Sequence, residues 1–189
     1  MQAFLEVFCI FFEELSISLL FLIIIKFWNI FVISVFSSAP PTFFMTLNFL
    51  YDFIARHKLA VISTLSAEGF PQSALVGIAV APDLRIIFDT HAASRKYHNL
   101  IHDPHISAVI GWDREATIQM DGQAFIPEGE ELEDLKRIYY QAYPHGWQRS
   151  AMDPDITYFC IKPEWIRYSD YNTDPPRVFE TKLSSDSEI

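Results

Sequence analysis

The sequence predicts a mainly β domain, a small and largely antiparallel barrel with short helices between its strands, behind an added apolar N-terminal segment. Three observations carry that expectation. Strand-like runs follow one another at short spacing over residues 58–88, which indicates a meander and not parallel crossovers. Residues 116–127 alternate apolar and polar side chains with period two. Helical patterns are present, but without the strand–helix–strand rhythm of a parallel sheet.

The chain begins with a different kind of polypeptide. Of 24 acidic and 14 basic residues, positions 1–44 hold only Glu6, Glu13, Glu14 and Lys26, and all 11 prolines and 6 glycines fall after Ala39. Residues 15–36 form a 22-residue apolar run, long enough for a membrane-spanning helix at about 1.5 Å per residue. Lys26 and Asn29 interrupt it, and a central Lys costs on the order of 3 kcal/mol on insertion scales. Three glutamates and no base precede the run, which argues against a secretory signal. If the run spans a membrane, Arg56 and Lys58 on its C-terminal side place the domain in the cytoplasm. The alternative is that the domain starts at Met45 and residues 1–44 are upstream sequence translated from a misplaced start.

The remaining elements follow in order. Residues 46–57 read as a helix, with Leu47, Leu50, Tyr51 and Ile54 on one face, suited to plug an end of the barrel. Residues 58–65 and 71–81 form a hairpin about Ser66-Ala67-Glu68-Gly69. A turn at Pro82-Asp83 leads to a buried strand over 85–88. The small and polar residues 89–94 then make a turn, and Ser94 is a good N-cap for a helix carrying Tyr97, Leu100 and Ile101 inward. Residues 105–111 make a short strand, and 116–127 a longer one with Ile118, Met120, Gly122, Ala124 and Ile126 on its apolar face. An amphipathic helix spans 130–143, and 144–147 form a loop. Residues 156–168 return as the closing strand, with Pro163 marking a bulge or edge. Beyond Asn172 a polar tail, residues 172–189, reads as disordered.

Composition limits the function. In 189 residues, 50% hydrophobic and 20% charged, there is material for one well-buried domain plus an appendage. A net charge of −10 excludes the clustered basic face of a nucleic-acid binder. Cys9 and Cys160 supply no disulfide framework within the domain.

One feature points to a ligand. Arg95 and Lys96 stand in the first turn of the helix after Ser94, where unpaired amides already carry partial positive charge, so the pair is unfavourable for the helix alone. An anion relieves this, and a phosphate suits the amides, the Ser94 hydroxyl, a planar Arg fork and a Lys point charge. The plain alternative is a pair of solvated surface cations. His91, His98, His102 and His105 lie close in sequence, and His98 and His102 share a helical face, but no accompanying ligand set makes a metal site of them. No Ser-His-Asp or paired-carboxylate arrangement supports a purely side-chain mechanism.

The residues from Phe88 to Trp112 resemble the pyridoxamine 5′-phosphate oxidase-like family of FMN-binding split barrels. Phe88-Asp89-Thr90 leads into Ser94-Arg95-Lys96, then Asn99-Leu100, Asp103-Pro104-His105-Ile106-Ser107 and Gly111-Trp112 follow without a gap. The resemblance covers about residues 45–171. It implies a split β-barrel, a homodimer with cofactor at the subunit interface, and FMN held by its phosphate at Ser94, Arg95 and Lys96. The ring would be seated against Asp89 and Thr90, and Gln119 corresponds to a flavin-contacting Gln, often across the subunit boundary; a solvent-facing Gln is the alternative. It further implies flavin-dependent oxidoreduction of a small molecule. Family members that bind haem make a haem or flavin carrier the rival reading.

The departures from the family pattern matter as much. Ala74 and Ala79 stand where the vitamin B6 oxidases carry an Arg and a Lys on the second strand, and Trp165-Ile166-Arg167-Tyr168 does not reproduce their C-terminal contacts. These differences argue against pyridoxamine phosphate oxidase activity itself, and they leave a deazaflavin open as an alternative to FMN.

Overall fold

The computed structural model describes residues 45–183, and their architecture follows from which strands must be covered on both faces. Helix α1 (Leu47–Ala55) is capped by Thr46, whose hydroxyl accepts the Phe49 amide at 3.1 Å. It buries Leu50, Phe53 and Ile54 against the barrel interior. Strands β1 (Leu59–Leu65) and β2 (Pro71–Val80) form the expected antiparallel hairpin, and β3 (Ile86–His91) continues the meander. After helix α2 (Arg95–His102), strand β4 (His105–Ile110) pairs with β1, and β5 (Ala116–Phe125) pairs with β4. Helices α3 (Gly129–Ala142) and α4 (Gly146–Met152) precede the 15-residue strand β6 (Ile156–Asp170).

Strand β6 closes the barrel. It pairs antiparallel with β5 over most of its length and with β3 through Ile156–Ile161, so the order β3-β2-β1-β4-β5-β6 returns to β3. The result is a closed six-stranded antiparallel barrel with short helices. Its interior is filled by Ile62, Ile78, Ile86, Phe88, Ile110, Ile118 and Phe159, and the Phe88 and Phe159 rings stack at 5.8 Å. A second apolar cluster lies outside the barrel under α3, where Leu135 and Tyr139 cover Ala79, Ile87 and Cys160. The run Ile86-Ile87-Phe88 is apolar at every position because β3 is buried on both faces: Ile86 and Phe88 point into the barrel, Ile87 into the cluster beneath α3.

Strand β5 shows the alternation read from sequence, with Ile118, Met120, Gly122 and Ala124 buried and Gln119, Asp121 and Gln123 exposed. Ile126 falls past its end and is exposed. The β6 irregularity sits at Pro163: Asp121 pairs with Trp165 and Gly122 with Pro163, which leaves Glu164 as the extra residue. Gly122 permits this crossing, because a Cβ there would lie 2.2 Å from the Lys162 carbonyl oxygen.

Three expectations are corrected. Strand β3 does not end at Phe88; Asp89, Thr90 and His91 pair with Tyr158, Thr157 and Ile156. The loop at 144–147 turns at once into α4. The stretch after Asn172 is not wholly without structure, since β7 (Arg177–Lys182) pairs with Trp165–Asp170 of β6. That half of β6 has left β3 and needs a partner for its free backbone edge, a demand that the polar sequence of the tail does not advertise. The apolar segment over residues 1–44, with its expected span at 15–36, lies outside the described residues. Among the described residues no helix is long and apolar enough to cross a membrane.

Candidate functional site

The end of β3 and the start of α2 form one wall of a cavity of about 290 Å³, lined by Asp89, Thr90, Ser94 and Lys96 together with residues 75–77 of β2 and Arg149 of α4. Ser94 is the N-cap of α2 and accepts the Tyr97 amide at 3.3 Å. Its hydroxyl also lies 2.8 Å from Thr90 Oγ1, which couples the last residues of the strand to the first turn of the helix. Behind them, the buried Asn99 amide donates to Thr64 Oγ1 at 2.9 Å and to Gln72 Oε1 at 3.1 Å, fastening α2 to β1 and β2. The start of the helix, with Ser94 and Lys96, is thus held in place on the cavity wall.

Arg95 is exposed and Lys96 half-buried, and among the described residues neither has an ion pair or a side-chain hydrogen bond. Two cations are left uncompensated at a helix N-terminus, one of them on the cavity wall. That donor set fits a phosphate monoester: hydroxyls at Thr90 and Ser94, a Lys ammonium, and the Arg95 fork in the same turn.

Asp89 lines the same cavity. Tyr139 of α3 donates to its Oδ1 at 3.0 Å, and Arg149 donates to its Oδ2. Burial, and then the Asp89 charge, push the Tyr139 hydroxyl far above its usual pKa, so it stays a hydrogen-bond donor. Burial works against the Arg149 charge, but Asp89 and Tyr139 together more than offset it and the guanidinium is held above its usual value.

The basic residues absent from β2 have a structural counterpart. Ala79 is buried beneath α3 beside Ile87 and Tyr139, leaving no room for a long cation. Tyr143 lies over Gly77, where a Cβ would meet its hydroxyl oxygen at 2.8 Å.

Gln119 is exposed on the outer face of β5, opposite Val109 and Arg167, and does not border this cavity within one chain. Arg149 is the site residue that sequence reasoning missed. Its only signal is that no other Lys or Arg occurs between Arg137 and Lys162.

One cluster resembles a metal centre. His91, Asp153 and Asp155 place ligand atoms within 4.8 Å of one another. The Ala93 amide donates to His91 Nδ1 at 3.0 Å, so the neutral ring carries its proton on Nε2, facing the two carboxylates at 3.7 and 3.9 Å. With that proton in place Nε2 has no lone pair to offer an ion between the acids, and both carboxylates lie beyond hydrogen-bond distance. His98 and His102 belong to no such group among the described residues.

Comparison with known proteins bears on the fold and the family. The chain is 29% identical over 94 residues to dihydrophenazinedicarboxylate synthase of Pseudomonas chlororaphis, a match covering 48% of this chain and 42% of that protein. The fold is shared with a haem-binding protein from Mycobacterium smegmatis at a TM-score of 0.62 and 20% identity, over 75% of this chain and 60% of that one. It is shared also with a pyridoxamine 5′-phosphate oxidase-related, FMN-binding protein from Nostoc punctiforme at a TM-score of 0.55 and 13% identity, over 69% and 83% of the two chains. The chain thus spans under two thirds of the length of the synthase and of the mycobacterial protein. The barrel is the split barrel of a fold family with FMN-binding and haem-binding members. The model of the pyridoxamine 5′-phosphate oxidase family matches residues 49–170, and the chain belongs to that family.

Proposed function

We propose that this chain is an FMN-binding oxidoreductase acting on a small molecule, and that pyridoxamine 5′-phosphate is not its substrate. The observation that supports the reading is the cavity at the β3–α2 junction, lined by Lys96 and by the Ser94 and Thr90 hydroxyls, where Lys96 has no ion pair among the described residues. Ser94, Arg95, Lys96 and Thr90 would hold the phosphate, and the ring would lie along the cavity beside Asp89 and residues 75–77. A bound flavin would supply hydride or electron transfer, and the protein's part would be to anchor, orient and shield it.

Gln119 supports a homodimer in this reading. It stands in a row across the outer sheet face, through Val109 and Val61 to Leu75, which is 59% exposed. A second copy against that face would cover the apolar residues and could bring its Gln119 toward the first copy's flavin. Light scattering of the purified chain tests this; a monomer that binds FMN would remove Gln119 from the site.

A second reading, a haem or flavin carrier without turnover, is favoured by the lack of a cation on β2 and by the haem-binding structural relative. The visible spectrum separates the two. Flavin bands that bleach with NAD(P)H support the enzyme; a Soret band, or a flavin that no reductant reaches, supports the carrier. A deazaflavin would be recognised by its own absorption and by exchange experiments with FMN.

A further inference from the structure

Asp89 poses a problem for any phosphate site at this cavity. Its carboxylate lines the same space as Lys96 and would cancel that residue's charge. The structure answers with an ion pair across 60 residues of sequence. Arg149 of α4 donates to Asp89 Oδ2, Tyr139 donates to Oδ1 at 3.0 Å, and Arg149 lies 3.5 Å from the Tyr139 hydroxyl. The Asp89 side chain is only 12% exposed, so its charge is weakly screened by water and needs a partner. Arg149 is 55% exposed and reaches the carboxylate from the cavity rim.

We propose that Arg149 is a specificity-determining residue of the cavity: by neutralising Asp89 it makes the site select a phosphate monoester over the uncharged form of the same ligand. This takes over part of the electrostatic role that a cation on β2 cannot fill, because Ala79 is buried under α3 and Ala74 is small. The placement of α4 serves the pair. Gly146 is buried at its start, close to the Tyr140 and Tyr139 rings, and its amide donates to the Tyr143 carbonyl at 2.8 Å, turning the chain back over α3. The inference rests on the FMN reading for its ligand, but the charge compensation itself applies to any phosphate.

The test is a charge-swap cycle on the full chain with FMN and riboflavin as probes, which share the ring and differ in the phosphate. Arg149→Gln should reduce the ratio of FMN to riboflavin affinity about tenfold or more, as for a hydrogen-bonded charge that has lost its partner. Asp89→Asn should leave that ratio at or above the wild-type value. The Asp89→Asn/Arg149→Gln double variant should restore most of the loss. Equal weakening of both ligands by Arg149→Gln, or a double variant no better than the single, would overturn the proposal. If Arg149→Gln does not fold, a fall in the ratio on Asp89→Asn does the same. Thermal unfolding in inorganic phosphate keeps the two readings apart. Phosphate stabilisation that follows the same variant order in a chain binding neither flavin would sink the FMN reading and leave the charge compensation standing.

Discussion

Thr90 Oγ1 lies 2.8 Å from Ser94 Oγ, so the last turn of the β3 wall and the cap of α2 share one hydrogen bond. Ser94→Ala removes this contact and the acceptor for the Tyr97 amide together. The expected cost is about 1 kcal/mol in denaturant unfolding. FMN affinity should fall as well, while Ser94→Thr, which keeps the oxygen, should retain most of both. A variant with full affinity and lowered stability would make Ser94 a cap alone.

Asn99 carries the second fastening of α2. It is 7% exposed, and its amide joins Thr64 and Gln72 on the hairpin. Asn99→Leu leaves Thr64 Oγ1, itself buried, with only its long contact to the Gln72 carbonyl at 3.4 Å. The loss should be about 1–3 kcal/mol, the range for a buried polar group deprived of its partner. Equilibrium unfolding measures it directly.

Gly122 should tolerate no side chain. An added Cβ would meet backbone on β6, the Lys162 carbonyl oxygen at 2.2 Å and Pro163 Cα at 2.9 Å, and neither atom can swing aside. Gly122→Ala is expected to cost about 1–3 kcal/mol or more by overpacking and to disturb the β5–β6 register. Neighbouring Gln123→Ala, exposed, should stay close to wild type by the same assay.

Cys160 is fully buried beneath α3, and burial pushes its thiol up to about 12. The native chain therefore keeps a proton that the unfolded chain releases near pH 8.5, so the thiol favours folding below that value and its contribution is lost as pH rises above it. Peptide-level mass spectrometry after alkylation at pH 8.5 should find Cys160 unlabelled in the native protein and labelled in denaturant. Rapid native labelling would show that α3 does not cover it.

The barrel was legible where local pattern and tertiary role coincide. The alternation of β5, the two-sided burial of Ile86-Ile87-Phe88 and the Ser94 cap each follow from residues a few positions apart. Features built across long separations were not. β7 exists because the outer half of β6 has an open edge, and α4 because Gly146 lets the chain pack against Tyr140; neither cause is visible in the segment itself. Ser94 and Lys96, which line the cavity, were singled out from the Ser94-Arg95-Lys96 turn, whereas Arg149 escaped because its meaning depends on a carboxylate 60 residues away.

In the proposed function the β3–α2 junction grips the phosphate of a flavin. Fluorescence titration of FMN with the full chain, wild type against Arg95→Ala/Lys96→Ala, tests it most directly. Saturable binding by the wild type is expected, with a loss of about a hundredfold or more in the variant, two charge-assisted contacts, and the unfolding transition unchanged. FMN that does not bind the wild type, or binds the variant equally well, would contradict it.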